Sequence, residues 1–306
     1  MLPERNKGPL VAIMDSGVGG LPYLEASRRH LPRANFVYLA DREGFPYGTK
    51  TREEVEAIVR DRVRRLVSAF APDALVIACN TASQAALAAV RADHPGLPVI
   101  GTVPAVKPAA SESRSKVIGI LATERSVVDP YLDELEDRFA STCRVERRGA
   151  QDLVAFVERR FLEAEPSETM GAIGPHVAFL VEKGVDEIVL ACTHFLHVAK
   201  EIEVMANELA ARRGGSAVKV VDSREGVARR LRDLIDRGDL IDRDDFVDRG
   251  DFDGRDQLLG EGGTRPEQGH RDRFYLTGPE PFEAVYAGFA RRYGLEGPFA
   301  LDGARR

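Results

Sequence analysis

Short, mostly apolar runs alternate along this chain with longer stretches in which apolar residues recur every three or four positions. The runs are Leu10 to Met14, Phe36 to Ala40, Ala74 to Ala78, Pro98 to Gly101, Lys116 to Leu121, Glu187 to Ala191, Val218 to Val221 and Phe274 to Leu276. They are too short for helices and too continuously apolar for strands with one face in water, so they read as strands buried on both faces. Between them, Glu53 to Phe70 carries Val55, Ile58, Val59, Val63, Leu66, Val67 and Phe70 at helical spacing. Strands alternating with helices in this way predict an α/β fold built on mainly parallel sheets flanked by helices.

One pair of runs is more alike than composition requires. Asp73-Ala74-Leu75-Val76-Ile77-Ala78-Cys79 matches Asp186-Glu187-Ile188-Val189-Leu190-Ala191-Cys192 in pattern, 113 residues later. In both copies the cysteine stands at the strand's carboxyl end, where open parallel sheets bind their ligands. Two pseudo-symmetric α/β halves, each offering a thiol to a shared cleft, is the economical reading. The bland alternative is that any two buried strands share Val, Ile and Leu.

From Asp236 the pattern changes to charged hexads, DRGDLI, DRDDFV, DRGDFD and GRDQLL, up to Leu259. A six-residue period fits neither a helix face nor a heptad, so residues 236–273 read as a low-complexity acidic insertion. Its two Arg-Gly-Asp triplets arise by chance in a repeat of those residues. The stretch holds twelve acids and seven arginines, and so carries five of the chain's six net negative charges. The remainder is nearly neutral, and the overall balance argues against a protein whose main task is gripping nucleic acid. No apolar run approaches the ~18 residues of a membrane span. The N-terminus shows no signal-peptide pattern and three cysteines make no disulfide framework, so a cytoplasmic protein with reduced thiols is expected.

Candidate chemistry follows from the strand ends. Gly17-Val18-Gly19-Gly20 after the first strand, with Asp41 some twenty residues on, suggests a dinucleotide fingerprint,. The third glycine is replaced by Pro22, and Asp15 at the strand tip would repel a pyrophosphate. Cys192, His194 and His197 form the only cysteine–histidine grouping, too sparse for the usual metal spacings, and His197 reads as an ordinary helix position,. His194 differs, because an imidazole two residues after a thiol can tune it. Cys143 lies in a linker-like stretch and reads as structural. Two thiols across one small ligand fit either a redox pair or a two-base inversion, in which one sulfur takes a proton from carbon and the other returns one to the opposite face. Distance separates the two cases, since redox thiols must approach to a bond.

At this point the residues resemble the glutamate racemase family of the cofactor-independent aspartate/glutamate racemases. The resemblance rests on Asp15-Ser16-Gly17-Val18-Gly19-Gly20, Pro46-Tyr47-Gly48, Cys79-Asn80-Thr81-Ala82-Ser83 and Cys192-Thr193-His194-Phe195, in that order. Val221-Asp222-Ser223 and Phe274-Tyr275-Leu276-Thr277-Gly278 resemble its C-terminal landmarks. It implies two α/β domains, 1–104 plus 214–306 and 105–213, with the active site in the cleft between them. It implies Cys79 and Cys192 as paired bases, Asp15 assisting the first, His194 the second, and Glu158 supporting that second side. Ser16, Pro46, Tyr47, Gly48, Asn80, Thr81, Thr123 and Thr193 match positions that hold the substrate. Glutamate as substrate, D-glutamate supply for peptidoglycan, no cofactor or metal, and a homodimer are what the family brings with it. An aspartate racemase and a non-catalytic small-molecule or dinucleotide-binding protein remain the alternatives. This chain departs from the family at Pro104, Ala122, Ser126, Asp129, Leu196 and His197.

Overall fold

The computed structural model describes residues 8–237 and 272–303. Its first half runs β1 (Leu10–Asp15), α1 (Leu21–His30), β2 (Asn35–Ala40), α2 (Arg52–Phe70), β3 (Ala74–Ile77), α3 (Asn80–Asp93) and β4 (Val99–Gly101). The second half follows as α4 (Val106–Glu112), β5 (Val117–Ala122), α5 (Pro130–Phe139), β6 (Arg144–Gly149), α6 (Gln151–Arg159), α7 (Pro166–Glu182), β7 (Glu187–Leu190), α8 (Ala199–Arg212) and β8 (Lys219–Val221). The chain then returns through α9 (Arg224–Arg237), β9 (Arg273–Leu276), α10 (Ala284–Arg292) and β10 (Glu296–Ala300).

All strand pairs are parallel, in two sheets of order β10-β9-β2-β1-β3-β4 and β6-β5-β7-β8. The second order repeats the last four strands of the first, β2-β1-β3-β4. The registers agree as well: Val11 faces Ala74 as Ile118 faces Glu187, and each facing residue lies five before its cysteine. The two matched aspartates do the same work. Asp73 accepts from the Leu10 amide at 2.8 Å, and Asp186 accepts from the Arg114 and Ser115 amides at 2.7 Å. Each thereby anchors the chain entering the neighbouring strand.

Alternation along the strands covers both faces. Val11 and Ile13 join one apolar cluster while Leu10, Ala12 and Met14 join another. The first cluster also takes Ile188, Leu190 and Cys192 from the other sheet, so the halves share a continuous core that fixes them against each other. Helix α2 follows its expected pattern: Val55, Val59, Val63, Leu66 and Phe70 are buried, and a Thr51–Glu54 capping box starts it,.

Two expectations need correction. The return crossing falls at 222–223, after β8, not at 214. Val218 is clamped by Asn207 through both its amide and its carbonyl, and Ile188 pairs with Val220, so 214–221 stay with the second sheet. Cys143 lies in the turn that joins α5 to the next strand, Arg144–Gly149, the edge strand β6, which the apolar runs do not reveal. The acidic stretch is also narrower than 236–273. Asp236 and Arg237 end α9, and Asp272 accepts from the Phe36 amide at 2.9 Å beside β9. The hexad body lies outside the described residues.

Candidate active site

Cys79 and Cys192 follow β3 and β7 in the same extended backbone conformation, φ/ψ −144/120° and −139/132°, and each begins a helical segment. They meet in a small cavity, partly open to solvent, lined by Ser16, Pro46, Tyr47, Gly48, Cys79, Asn80, Thr81, Thr123, Val154, Cys192, Thr193 and His194. Eleven of these residues are sequence candidates. Val154, on α6, is the exception, because it reads in sequence as an ordinary apolar position of an amphipathic helix. Asp15 and Glu158 sit behind the wall, at 0% and 1% exposure. Both thiols are free, so they form no disulfide.

The two thiols have different neighbours. Cys79 donates toward Ser16 Oγ at 3.9 Å and lies against Asp15. Burial, followed by the Asp15 charge, pushes this thiol well above its ordinary value. Asp15 itself is pushed up to about 6 by burial, against the opposing pull of His194. Its Oδ2 accepts from the Gly17 and Gly20 amides at 3.3 and 3.1 Å, and its Oδ1 from Thr193 Oγ1 at 3.4 Å.

Cys192 Sγ lies 4.0 Å from His194 Nδ1, and His194 Nε2 lies 3.0 Å from Glu158 Oε2. Burial alone would depress the imidazole. The contacts with Cys192 and Glu158 outweigh it and hold His194 well above its ordinary value, which favours the charged ring,. A cation beside Cys192 is the complement a thiolate needs.

The glycine turn owes its composition to the seam between the halves. A Cβ on Gly17 would stand 2.3 Å from Glu158 Oε2, and one on Gly19 2.5 Å from His194 Nδ1. Only glycine lets the β1–α1 backbone approach this closely. Its amides are already committed, Gly17 and Gly20 to Asp15 and Val18 to Glu158 at 2.9 Å. Three N–H groups of the turn thus face the Asp15 and Glu158 carboxylates, whose charge would repel a pyrophosphate and weighs against a dinucleotide site. Asp41 is likewise committed: it accepts from Tyr47 OH at 2.7 Å, Arg62 Nε at 2.9 Å and Thr277 Oγ1 at 2.6 Å. It holds the Pro46-Tyr47-Gly48 loop in place.

A second seam closes the other side of the cavity. Thr81 Oγ1 lies within 3.3 Å of Thr123 Oγ1 and Ser126 Oγ, and Ser126 Oγ donates to Gln84 Oε1 at 3.0 Å. Arg52 of α2 reaches Asp129 at 3.5 Å, and Arg125 reaches it at 2.7 Å. His197 does not join His194 at a metal site, because its ring nitrogens face Val18 O and Tyr293 OH. No group of three acidic, cysteine or histidine side chains suited to a metal occurs among the described residues.

Two α/β units of one strand order, with a thiol at the end of each, define a racemase fold, and the chain belongs to the Asp/Glu/hydantoin racemase family, whose model matches residues 23–230. It is an amino-acid racemase, an isomerase. A glutamate racemase of Sphingopyxis alaskensis is 43% identical over 240 residues, covering 77% of this chain and 85% of that protein. One of Treponema pallidum is 38% identical over 229 residues, covering 75% and 82%. The crystal structure of Escherichia coli glutamate racemase, in complex with L-glutamate and the activator UDP-MurNAc-ala, superposes with a TM-score of 0.76. That likeness comes at 27% identity and covers 96% of this chain and 98% of that one.

Proposed function

We propose that this chain interconverts L- and D-glutamate by two-base proton transfer between Cys79 and Cys192, supplying D-glutamate for peptidoglycan in the cytoplasm. The observation that carries the reading is the pair of buried thiols at equivalent strand ends, opening into one cavity. The thiolate on one side takes the Cα proton, and the thiol on the other side gives its proton to the opposite face. Each turnover exchanges the protonation states of the two sulfurs, and the reverse reaction exchanges them back. Asp15 is placed to accept and return the Cys79 proton, and the His194 cation to balance charge at Cys192. Ser16, Asn80, Thr81, Thr123 and Thr193 present hydroxyls, an amide and helix-start N–H groups to the substrate's carboxylates and amine. The buried unpartnered Asn80 Oδ1 is an acceptor suited to the ammonium,. The carbanion is costly, so preorganised dipoles in a water-poor cavity carry much of the catalysis.

Circular dichroism of L-glutamate with purified protein tests the proposal: the signal decays to zero, and faster than the signal of L-aspartate. Serine variants in D2O sharpen it. Cys79→Ser and Cys192→Ser each lose racemisation, and each retains Cα deuterium wash-in from only one enantiomer. A stable L-glutamate signal in every buffer, or near-normal turnover in either serine variant, sinks the scheme.

A further inference from the structure

His197 is one of the positions at which this chain departs from the resembled family, and the reaction as described makes no use of it. Its side chain is largely buried between three segments, ringed by Phe161, Phe289 and Tyr293 with centroids 5.4–5.9 Å away. Both ring nitrogens are engaged. Nε2 lies 3.0 Å from Val18 O and Nδ1 lies 3.2 Å from Tyr293 OH. A carbonyl can only accept, so the proton sits on Nε2, and Nδ1 accepts from the tyrosine hydroxyl. The ring is neutral: burial, the Val18 carbonyl notwithstanding, presses its pKa down to about 3, aided by the charges of His194, Arg292 and Arg224.

Val18 is thereby held on both sides of its Cα by the opposite half. Its carbonyl takes the His197 proton, and its amide donates to Glu158 Oε2 at 2.9 Å. The same Glu158 oxygen lies 3.0 Å from His194 Nε2, and His194 Nδ1 lies 4.0 Å from the Cys192 sulfur. A continuous series of polar contacts therefore runs from Tyr293 on the first half to Cys192 on the second, and His197 is the one member that spans from α10 to the glycine turn. Two uncharged bonds suit this task. They fix the turn without adding a second cation beside His194, which would weaken the imidazolium.

We propose that His197 is a positioning residue: by clamping Val18 it holds Glu158 against His194 and so sets the charge beside Cys192. The inference rests on the two-thiol reading for its catalytic consequence, but the geometry it asserts can be measured without turnover. Leucine fills a similar volume and makes neither bond. Glutamine can present an N–H near the position of Nε2, whereas asparagine is too short to reach Val18.

The test is 15N-histidine NMR on the full chain, paired with racemisation kinetics. In the wild type, His197 keeps its Nε2–H tautomer across neutral and alkaline pH while His194 is protonated at neutral pH. In His197→Leu the titration of His194 moves to lower pH, and kcat falls about tenfold while KM changes little. His197→Gln recovers most of kcat and the His194 titration, and His197→Asn does not. A His194 titration unmoved in His197→Leu overturns the proposal. Should the leucine variant fail to fold, equal behaviour of the glutamine and asparagine variants overturns it instead. If the wild type does not racemise glutamate, the function is wrong, and the His194 titration still decides the positioning.

Discussion

Thr193 Oγ1 donates to Asp15 Oδ1 at 3.4 Å, tying the carboxylate beside one thiol to the residue next to the other. Asp15 is thus part of the seam and, in the proposed reaction, a proton-handling group as well. Asp15→Asn keeps the shape and removes the base, so kcat/KM should fall about 10²-fold or more, with loss of any pH limb near the raised carboxyl pKa. Stability moves the other way. The folded pKa of about 6 exceeds the ordinary 3.8, so ionisation costs stability as pH rises through that window,. Thermal unfolding at pH above 6 should show Asp15→Asn more stable, by on the order of 2–3 kcal/mol, and the advantage should vanish in acid,.

Gly19→Ala puts a methyl 2.5 Å from His194 Nδ1 and 2.6 Å from Thr193 Oγ1. Neither neighbour is a free chain end, so the halves must separate. The variant should fold with a loss of about 1–3 kcal/mol. It should lose far more in kcat/KM, about 10²-fold, because a small misplacement at the reacting groups is amplified in rate. Activity that persists within threefold of wild type, an about 0.6 kcal/mol effect, would show the seam to be compliant.

Asp129 caps α5 by accepting from the Tyr131 amide at 3.0 Å and pairs with Arg125 and Arg52 while only 2% exposed. Asp129→Ala strands the Arg125 guanidinium and removes the cap. Urea unfolding should show a loss of roughly 3 kcal/mol or more. Raising the salt concentration should change wild-type stability little, because a buried pair is weakly screened.

Glu187 offers a site away from the thiols. Burial pushes its carboxyl up to about 7, with Lys219 opposing and Glu112 and Asp186 adding to the rise. A folded pKa above the ordinary 4.5 means that stability falls as pH rises from about 4.5 to 7 and is lowest beyond it,. Glu187→Gln should flatten that slope, and at alkaline pH gain on the order of 1 kcal/mol once solvent screening is allowed for. A variant whose melting profile against pH matches the wild type would refute this.

Much of the fold is legible in the sequence because the inner strands are buried on both faces and leave continuous apolar runs. Strand β6 escapes for the opposite reason. Arg144, Glu146, Arg147 and Arg148 belong to an edge strand, where charge discourages further pairing, and Arg147 is spent on Glu136 and Asp133 at 2.6 Å,. Strand β10 hides behind Gly297 and Pro298, tolerated only at an edge, and its register shifts there,. At the site, the cysteines and polar triplets announce themselves by place and type. What sequence does not reveal is purpose: the glycine turn that suggests phosphate binding is instead a surface shaved down for the facing half, and Asp41 braces a loop.

The shared strand order of the two halves has a geometric consequence. Two copies of one right-handed unit can be brought face to face only by rotation, whereas the two products of racemisation are mirror images. A planar carbon carrying an amine, a carboxylate and a side chain offers no rotation that swaps its faces and leaves all three groups in place. Halves alike in every residue would therefore present one face correctly and the other with two groups interchanged. In the proposed reaction, the differences at equivalent positions, Asp15 against Ala122, Asn80 against Thr193, and Thr81 against His194, supply the asymmetry that a repeated scaffold needs for a reaction whose symmetry is a reflection.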